Sequence, residues 1–290
     1  MAVRCYRKRG TVMITVPELV VDALESFLGS YMRKRFGSHT QFAEIVPGAA
    51  RIALECIGNS DALYHNVEHT LLVTLAGHDI MRGRALHRHT TAEDYSHIIL
   101  ACLTHDIGYV RGVFEEDDDN GYVADAAGKK VVLPRGSSDA ALIHHHVDRS
   151  KLYVMERMKA NPMLDQRRIA HAIEGTRFPA PPGAESYGEE AAIVRAADFI
   201  GQLGDPNYIR KANALYYEFE EAGINKQLGY ESPSDLVDRY PQFYFNSVAP
   251  HVQTAIRYLN ATASGRQWIA NLYANVFRAE REIPLSGPQQ

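Results

Sequence analysis

Histidine and aspartate carry most of the chemistry this chain can offer. Of its 290 residues 13 are histidine, and several fall in tight groups. His65 and His69 stand four apart in Tyr64-His65-Asn66-Val67-Glu68-His69. On a helix that is about 40° of rotation, so a helix through both puts the two rings on one face. Two such imidazoles can ligate a metal, or one can ligate while the other moves protons. Two His-Asp dipeptides follow, His78-Asp79 and His105-Asp106. His78 is nine residues past His69, roughly 180° around a continuous helix, which sets it against the opposite face. His105-Asp106 instead closes the apolar run Ile98 to Leu103. A buried His and Asp need partners, because unpaired polar groups in a core are costly, and a divalent cation would satisfy both. A further carboxylate would complete such a site. Asp198, on the small and apolar stretch from Val194 to Gln202, suits it better than Asp205, which precedes Pro206 and is expected in a loop. Gln202, one turn on from Asp198, faces the same way and is a candidate to meet a ligand.

The combination of H-x3-H, a His-Asp pair 36 residues after the second His, and an aspartate on a late helix resembles the HD superfamily of metal-dependent phosphohydrolases. Within it the chain is most similar to the catalytic domain of cyclic-nucleotide phosphodiesterases, over roughly residues 60–260. The YHNxxH motif of that domain is matched by Tyr64 to His69 and its HD pair by His105-Asp106. Its late Ala-Asp followed by Asn-Pro is comparable to Ala197-Asp198 and Asp205-Pro206. The resemblance implies that His69, His105, Asp106 and Asp198 bind a first metal, that Asp106 bridges to a second, and that His65 is the general acid. It implies one or two divalent ions, and an N/O ligand set accepts Mn, Mg, Fe, Ni, Co or Zn. Two cations about 4 Å apart can hold a bridging hydroxide as nucleophile and neutralise phosphoryl oxygens. A histidine can then protonate the leaving alkoxide near neutral pH. The implied substrate is a phosphate ester, a small or cyclic nucleotide.

Other residues are expected around this core set. The phosphodiesterases continue their motif as HDxxH, whereas Tyr109 occupies the last position here. His144, His145 and His146 cannot all face one point, since helical neighbours differ by about 100°. A His-Val-Asp-Arg pattern of similar bacterial HD proteins picks His146, with His145 next. Glu174 is a candidate to hydrogen-bond a ligand histidine or a metal water. Thr176 resembles a phosphodiesterase threonine beside that water. Arg111 is a candidate bidentate phosphate clamp. Gln242, in Gln242-Phe-Tyr-Phe245, fits the spacing of the Gln-x-x-Phe substrate signature, and Asn66 belongs to the YHNxxH motif. Two other functions fit parts of the pattern. A mixed-valent di-iron HD oxygenase would need His145 or His146 together with His171, and a nucleotide-binding regulatory module would keep the site only as a relic.

The elements that must hold these residues are helical. Apolar periodicity predicts an all-α, HD-like bundle, with a helix from about Thr70 to Arg84, a buried helix entered through a capping box at Thr91-Ala-Glu-Asp94, and helices over Asp139–Lys159, Leu164–Glu174, Glu189–Leu203, Asn207–Glu221, Ser234–Tyr240 and Phe245–Phe277. Residues 113–137 break that period: an acidic cluster, then two short β-prone segments around Gly128, predict a small hairpin insertion. No internal boundary is evident, so residues 1–290 read as a single domain, with an HD core at about 60–210 and helices at 207–280 completing the pocket. With 46% hydrophobic and 23% charged residues the chain can bury a core. A net charge of −4 argues against a nucleic-acid duplex or an anionic membrane as the main partner. The basic run Arg4–Arg9 reads as a solvated tail. No apolar run reaches the roughly 18 residues of a membrane span. Cys5, Cys56 and Cys102 are odd in number and far apart, which suits a reducing, cytoplasmic setting. The sequence leaves homo-oligomerisation open.

Overall fold

The computed structural model describes residues 15–37, 41–181 and 183–285; the Arg4–Arg9 run and Cys5 lie outside them. The fold is all-α with one small hairpin. α1 (Val16–Phe36) begins at a Thr15–Glu18 capping box and packs along α2 (Phe42–Ile57). α3 (Val67–His87) lies against α4 (Ala92–Thr104). The predicted capping box starts α4: Asp94 N donates to Thr91 Oγ1 and Thr91 N to the Asp94 carboxylate, both at 3.0 Å. With no polar stripe, α4 runs through the interior, and every residue from Tyr95 to Thr104 is buried. A single 3-10 turn, Ile107–Tyr109, follows. The hairpin pairs β1 (Tyr122–Val123) antiparallel with β2 (Lys130–Val131) within the predicted insertion, and Gly128 there takes φ +76°.

The second half continues through α5 (His146–Arg157), α6 (Gln166–Glu174), α7 (Gly188–Leu203), α8 (Tyr208–Glu221), α9 (Ile224–Leu228), α10 (Pro233–Asp238), α11 (Tyr240–Phe243), α12 (Ala249–Leu259) and α13 (Ala263–Leu285). A continuous set of buried side chains runs from Val21 of α1 to Ala279 of α13. At its centre α3 crosses α7 so closely that a Cβ on Gly201 would sit 2.7 Å from the Val73 backbone. Among the described residues no helix is long and apolar enough to cross a membrane.

Three predicted spans differ. His65 and His69 do not share a helix, because Asn66 is the N-cap of α3: its side-chain oxygen accepts from Glu68 N at 2.9 Å and His69 N at 3.3 Å. His65 therefore lies in the turn before the helix. The expected helix over Asp139–Lys159 is divided into a 3-10 turn at Asp139–Leu142, capped by Ser138, and α5. The expected helix over Phe245–Phe277 is divided at residues 260–262. There Thr262 Oγ1 accepts from Gly265 N at 3.0 Å and starts α13 anew.

Candidate metal centre

Three helices that are remote in sequence deliver four side chains to one point. The first turn of α3 supplies His69, the end of α4 supplies His105 and the following Asp106, and α7 supplies Asp198. His69 Nε2 lies 3.2 Å from Asp106 Oδ2 and 3.4 Å from Asp198 Oδ1; His105 Nε2 lies 3.1 Å and 3.7 Å from the same two oxygens. Ligand atoms about 2.1 Å from a common ion lie about 3.0 Å apart at right angles and about 3.4 Å apart at the tetrahedral angle. The observed spacings, 3.1–3.7 Å, lie close to those values. His69 Nε2, His105 Nε2 and Asp106 Oδ2 are all buried, and none has a hydrogen-bond partner among the described residues. Buried polar atoms are rarely left this way in a native core, so the donor set fits a divalent cation. His105 Nδ1 meets the Cys102 carbonyl at 2.8 Å, which turns Nε2 toward the cluster. Burial opposes charge on His105, Asp106 and Asp198. Even so, the two carboxylates push His105 well above the usual imidazole range, and the histidines hold Asp106 and Asp198 below the usual carboxylate range.

His65 reaches the cluster from the turn before α3, its ring centroid 5.3 Å from that of His69. Its Nδ1 lies 2.5 Å from Glu218 Oε2 on α8, and Glu218 Oε1 also accepts from Tyr64 N at 2.6 Å and His65 N at 3.2 Å. Burial works against a charged His65, but Glu218, with Asp106 and Asp198 behind it, lifts the imidazole to about 9. Tyr109 stacks between two histidines, with centroids 4.6 Å from His65 and 4.4 Å from His146. His146 Nδ1 meets the Ile143 carbonyl at 2.5 Å, and Nε2 lies 3.8 Å from Asp106 Oδ1. Burial holds His146 down at about 4 and pushes the Tyr109 phenol well above its usual value.

Residues 14–282 match the model of one protein family, described as Npun_R2479-like. The chain belongs to the Npun_R2479-like family. No curated protein and no solved structure matches it.

In this Npun_R2479-like chain, Asp198 is the most accessible of the four candidate ligands, its side chain 21% exposed. It lines a cleft of about 410 Å³ between the 175–181 segment, α7 and the start of α12. Thr176, Arg177, Phe178, Arg195, Phe199 and His251 share that wall. Thr176 thus shares a cleft wall with Asp198, and its hydroxyl donates to the Ile173 carbonyl at 2.8 Å. His78-Asp79 is directed elsewhere: His78 bonds the Tyr95 hydroxyl at 2.6 Å, and Asp79 holds Ser264 and Trp268 of α13.

Several expected site residues have other work. Arg111 is no phosphate clamp in this arrangement, since it is tied to Asp139, to the Ser137 carbonyl at 3.0 Å and to Asp61 at 2.7 Å. Glu174 bonds neither a ligand histidine nor the cluster; it pairs with Lys151 at 2.6 Å and with Arg177. Asn66 caps α3, Gln202 lies beside Tyr208, and Gln242 is exposed on α11. Of the histidine run, His146 alone faces Asp106. His145 is half-buried at the N-cap of α5 without a side-chain cap bond, and His144 points to the Ala222 carbonyl at 3.3 Å. His171 is exposed and bonds the Tyr187 carbonyl at 2.9 Å, so the histidine that a di-iron site would need is not at the cluster. Sequence reasoning missed Glu218. It lies 153 residues from His65, and nothing local to α8 marks it.

Proposed function

We propose that this chain is a metal-dependent phosphohydrolase of the HD type, acting on a small phosphate ester such as a nucleotide. One observation supports this above the rest: buried His69, His105 and Asp106 atoms without hydrogen-bond partners converge at ligand spacing on Asp198, beside a cleft. His69, His105, Asp106 and Asp198 would hold the ion. When bound, a divalent ion neutralises phosphoryl oxygens and lowers the pKa of water toward neutrality.

The remaining work falls to the chain's own groups. Glu218 holds His65 by Nδ1 and leaves Nε2 to give a proton to the leaving oxygen. The buried walls around His69 and His105 exclude bulk water, while Asp198 faces the cleft through which an ester would arrive. The Cys56 and Cys102 side chains are buried, which suits a reducing cytoplasm.

The test is metal analysis of the purified full chain, followed by assay with Mn²⁺, Mg²⁺, Fe²⁺, Ni²⁺ and Zn²⁺ against cyclic nucleotides, acyclic nucleotides and simple phosphate esters. Metal-dependent phosphate release that disappears, together with metal binding, in Asp106→Ala is the expected result. Hydrolysis retained by Asp106→Ala, or a loaded protein that cleaves none of the esters, would overturn the proposal.

A further inference from the structure

Arg149 is the largest fully buried side chain among the described residues, and nothing said so far uses it. It lies one helical turn beyond His146, so His146, Arg149 and Ser150 share a face of α5. That face lies against the turn that carries His105 and Asp106. Arg149 Nε donates to the Gly108 carbonyl at 2.6 Å, and Nη2 donates to the Val110 carbonyl at 2.9 Å. Ser150 Oγ donates to the His105 carbonyl at 2.6 Å and accepts from Gly108 N at 2.9 Å. The approach is tight enough to require glycine, since a Cβ on Gly108 would sit 2.0 Å from the His146 carbonyl oxygen.

The other side of the guanidinium faces the insertion. Arg149 pairs with both oxygens of Asp117, at 3.2 Å and 2.9 Å, and both side chains are 0% exposed. It also donates to the Val123 carbonyl on β1 and lies over the Phe114 ring, 5.0 Å from its centroid. Asp117 in turn accepts from Gly112 N at 3.0 Å and Val123 N at 2.8 Å. One side chain thus ties the backbone of residues 108–110 to that of residues 112–123. A buried ion pair is weak evidence for stability, because desolvation offsets its attraction and apolar replacements are often tolerated. What a forked, fully bonded guanidinium does well is fix geometry.

We infer that Arg149 is a positioning residue that locks the His105–Asp106 turn and, through Asp117, makes the order of the hairpin insertion and the affinity of the metal centre depend on each other. The inference rests on the metal centre proposed above. Coupling between two sites is reciprocal: an ion that fixes the turn must quiet the hairpin, and loosening the hairpin must weaken the ion.

The experiment uses the full chain, Mn²⁺ alone as probe, and three readouts: Mn²⁺ Kd by calorimetry, the thermal midpoint of the metal-free protein, and amide exchange at residues 111–123 with and without Mn²⁺. In the wild type Mn²⁺ should slow exchange across residues 111–123. The double variant Arg149→Met with Asp117→Leu removes both charges while keeping apolar volume. It should melt within a few degrees of wild type, yet bind Mn²⁺ about tenfold or more weakly and lose the metal effect on exchange. Asp117→Asn, read in the same way, serves if the double variant does not fold. A folded variant with wild-type Kd, or a wild-type hairpin indifferent to bound Mn²⁺, overturns this inference alone. A wild-type chain that binds neither Mn²⁺, Fe²⁺ nor Zn²⁺ overturns the metal centre as well.

Discussion

His65 owes its place to a carboxylate on a distant helix. Glu218 fixes the ring through Nδ1 and two backbone amides, so it acts on the chemistry only through the histidine. His65→Ala should retain metal and lose about 10²–10⁴ in kcat. Glu218→Gln keeps the shape but not the charge and should lose part of that rate with metal content unchanged. Steady-state kinetics beside metal analysis checks both, and equal loss of metal in His65→Ala would make His65 a ligand instead. The four candidate ligands were legible because their spacing in sequence maps onto helix faces and a helix end. Arg111 and Glu174 were misjudged for a common reason. Local sequence tells that a charge is available, but not which opposite charge the fold brings to it, and here Asp61, Asp139, Lys151 and Arg177 take them up.

Helices were legible wherever apolar periodicity ran long, and ambiguous where a cap interrupted it. Asn66, Ser138 and Thr262 each satisfy backbone amides and restart the chain, a choice that periodicity alone does not register. Two predictions belong to this scale. Val73 is one turn past His69 and Gly201 nearly one turn past Asp198, so the Gly201 contact sets how closely the two ligands approach. Gly201→Ala places a methyl 2.7 Å from backbone; it should cost about 1–3 kcal/mol and weaken metal binding, read by urea unfolding and calorimetry. A variant with unchanged metal affinity would show that the crossing does not govern the site. The second concerns the start of α4. Burial would raise Asp94, but bonds from Arg168 and from the Thr91 backbone N–H outweigh it and lower the carboxyl from 3.8 to about 2. A depressed carboxyl stabilises fully above its unfolded value and loses that contribution as pH falls from about 4 toward about 2. Asp94→Ala should therefore cost about 1–2 kcal/mol near pH 7 and clearly less near pH 3. Equal costs at the two pH values would contradict the assignment.

At the scale of the whole molecule, the candidate centre joins parts of the chain that nothing else brings together in the unfolded state. His69 is 36 residues from His105, and Asp106 is 92 from Asp198; the ligands converge only once α3, α4 and α7 have packed. Their burial leaves an acceptor and imidazole nitrogens without hydrogen-bond partners inside the packed interior. The metal-free fold thus carries a local cost, which an ion bound by the native state alone would remove. Binding of this kind shifts the unfolding equilibrium by mass action. At a free ion concentration of 100 times Kd the gain is about 2.7 kcal/mol, which for a chain of this size corresponds to a rise in melting temperature of about 4–5 °C. Scanning calorimetry of chelated and Mn²⁺-loaded protein should show that rise in the wild type and none in Asp106→Ala. A wild-type midpoint indifferent to a saturating, bound ion would mean that the ion sits elsewhere, on a surface that survives unfolding, and the three helices would need another reason to converge on those side chains.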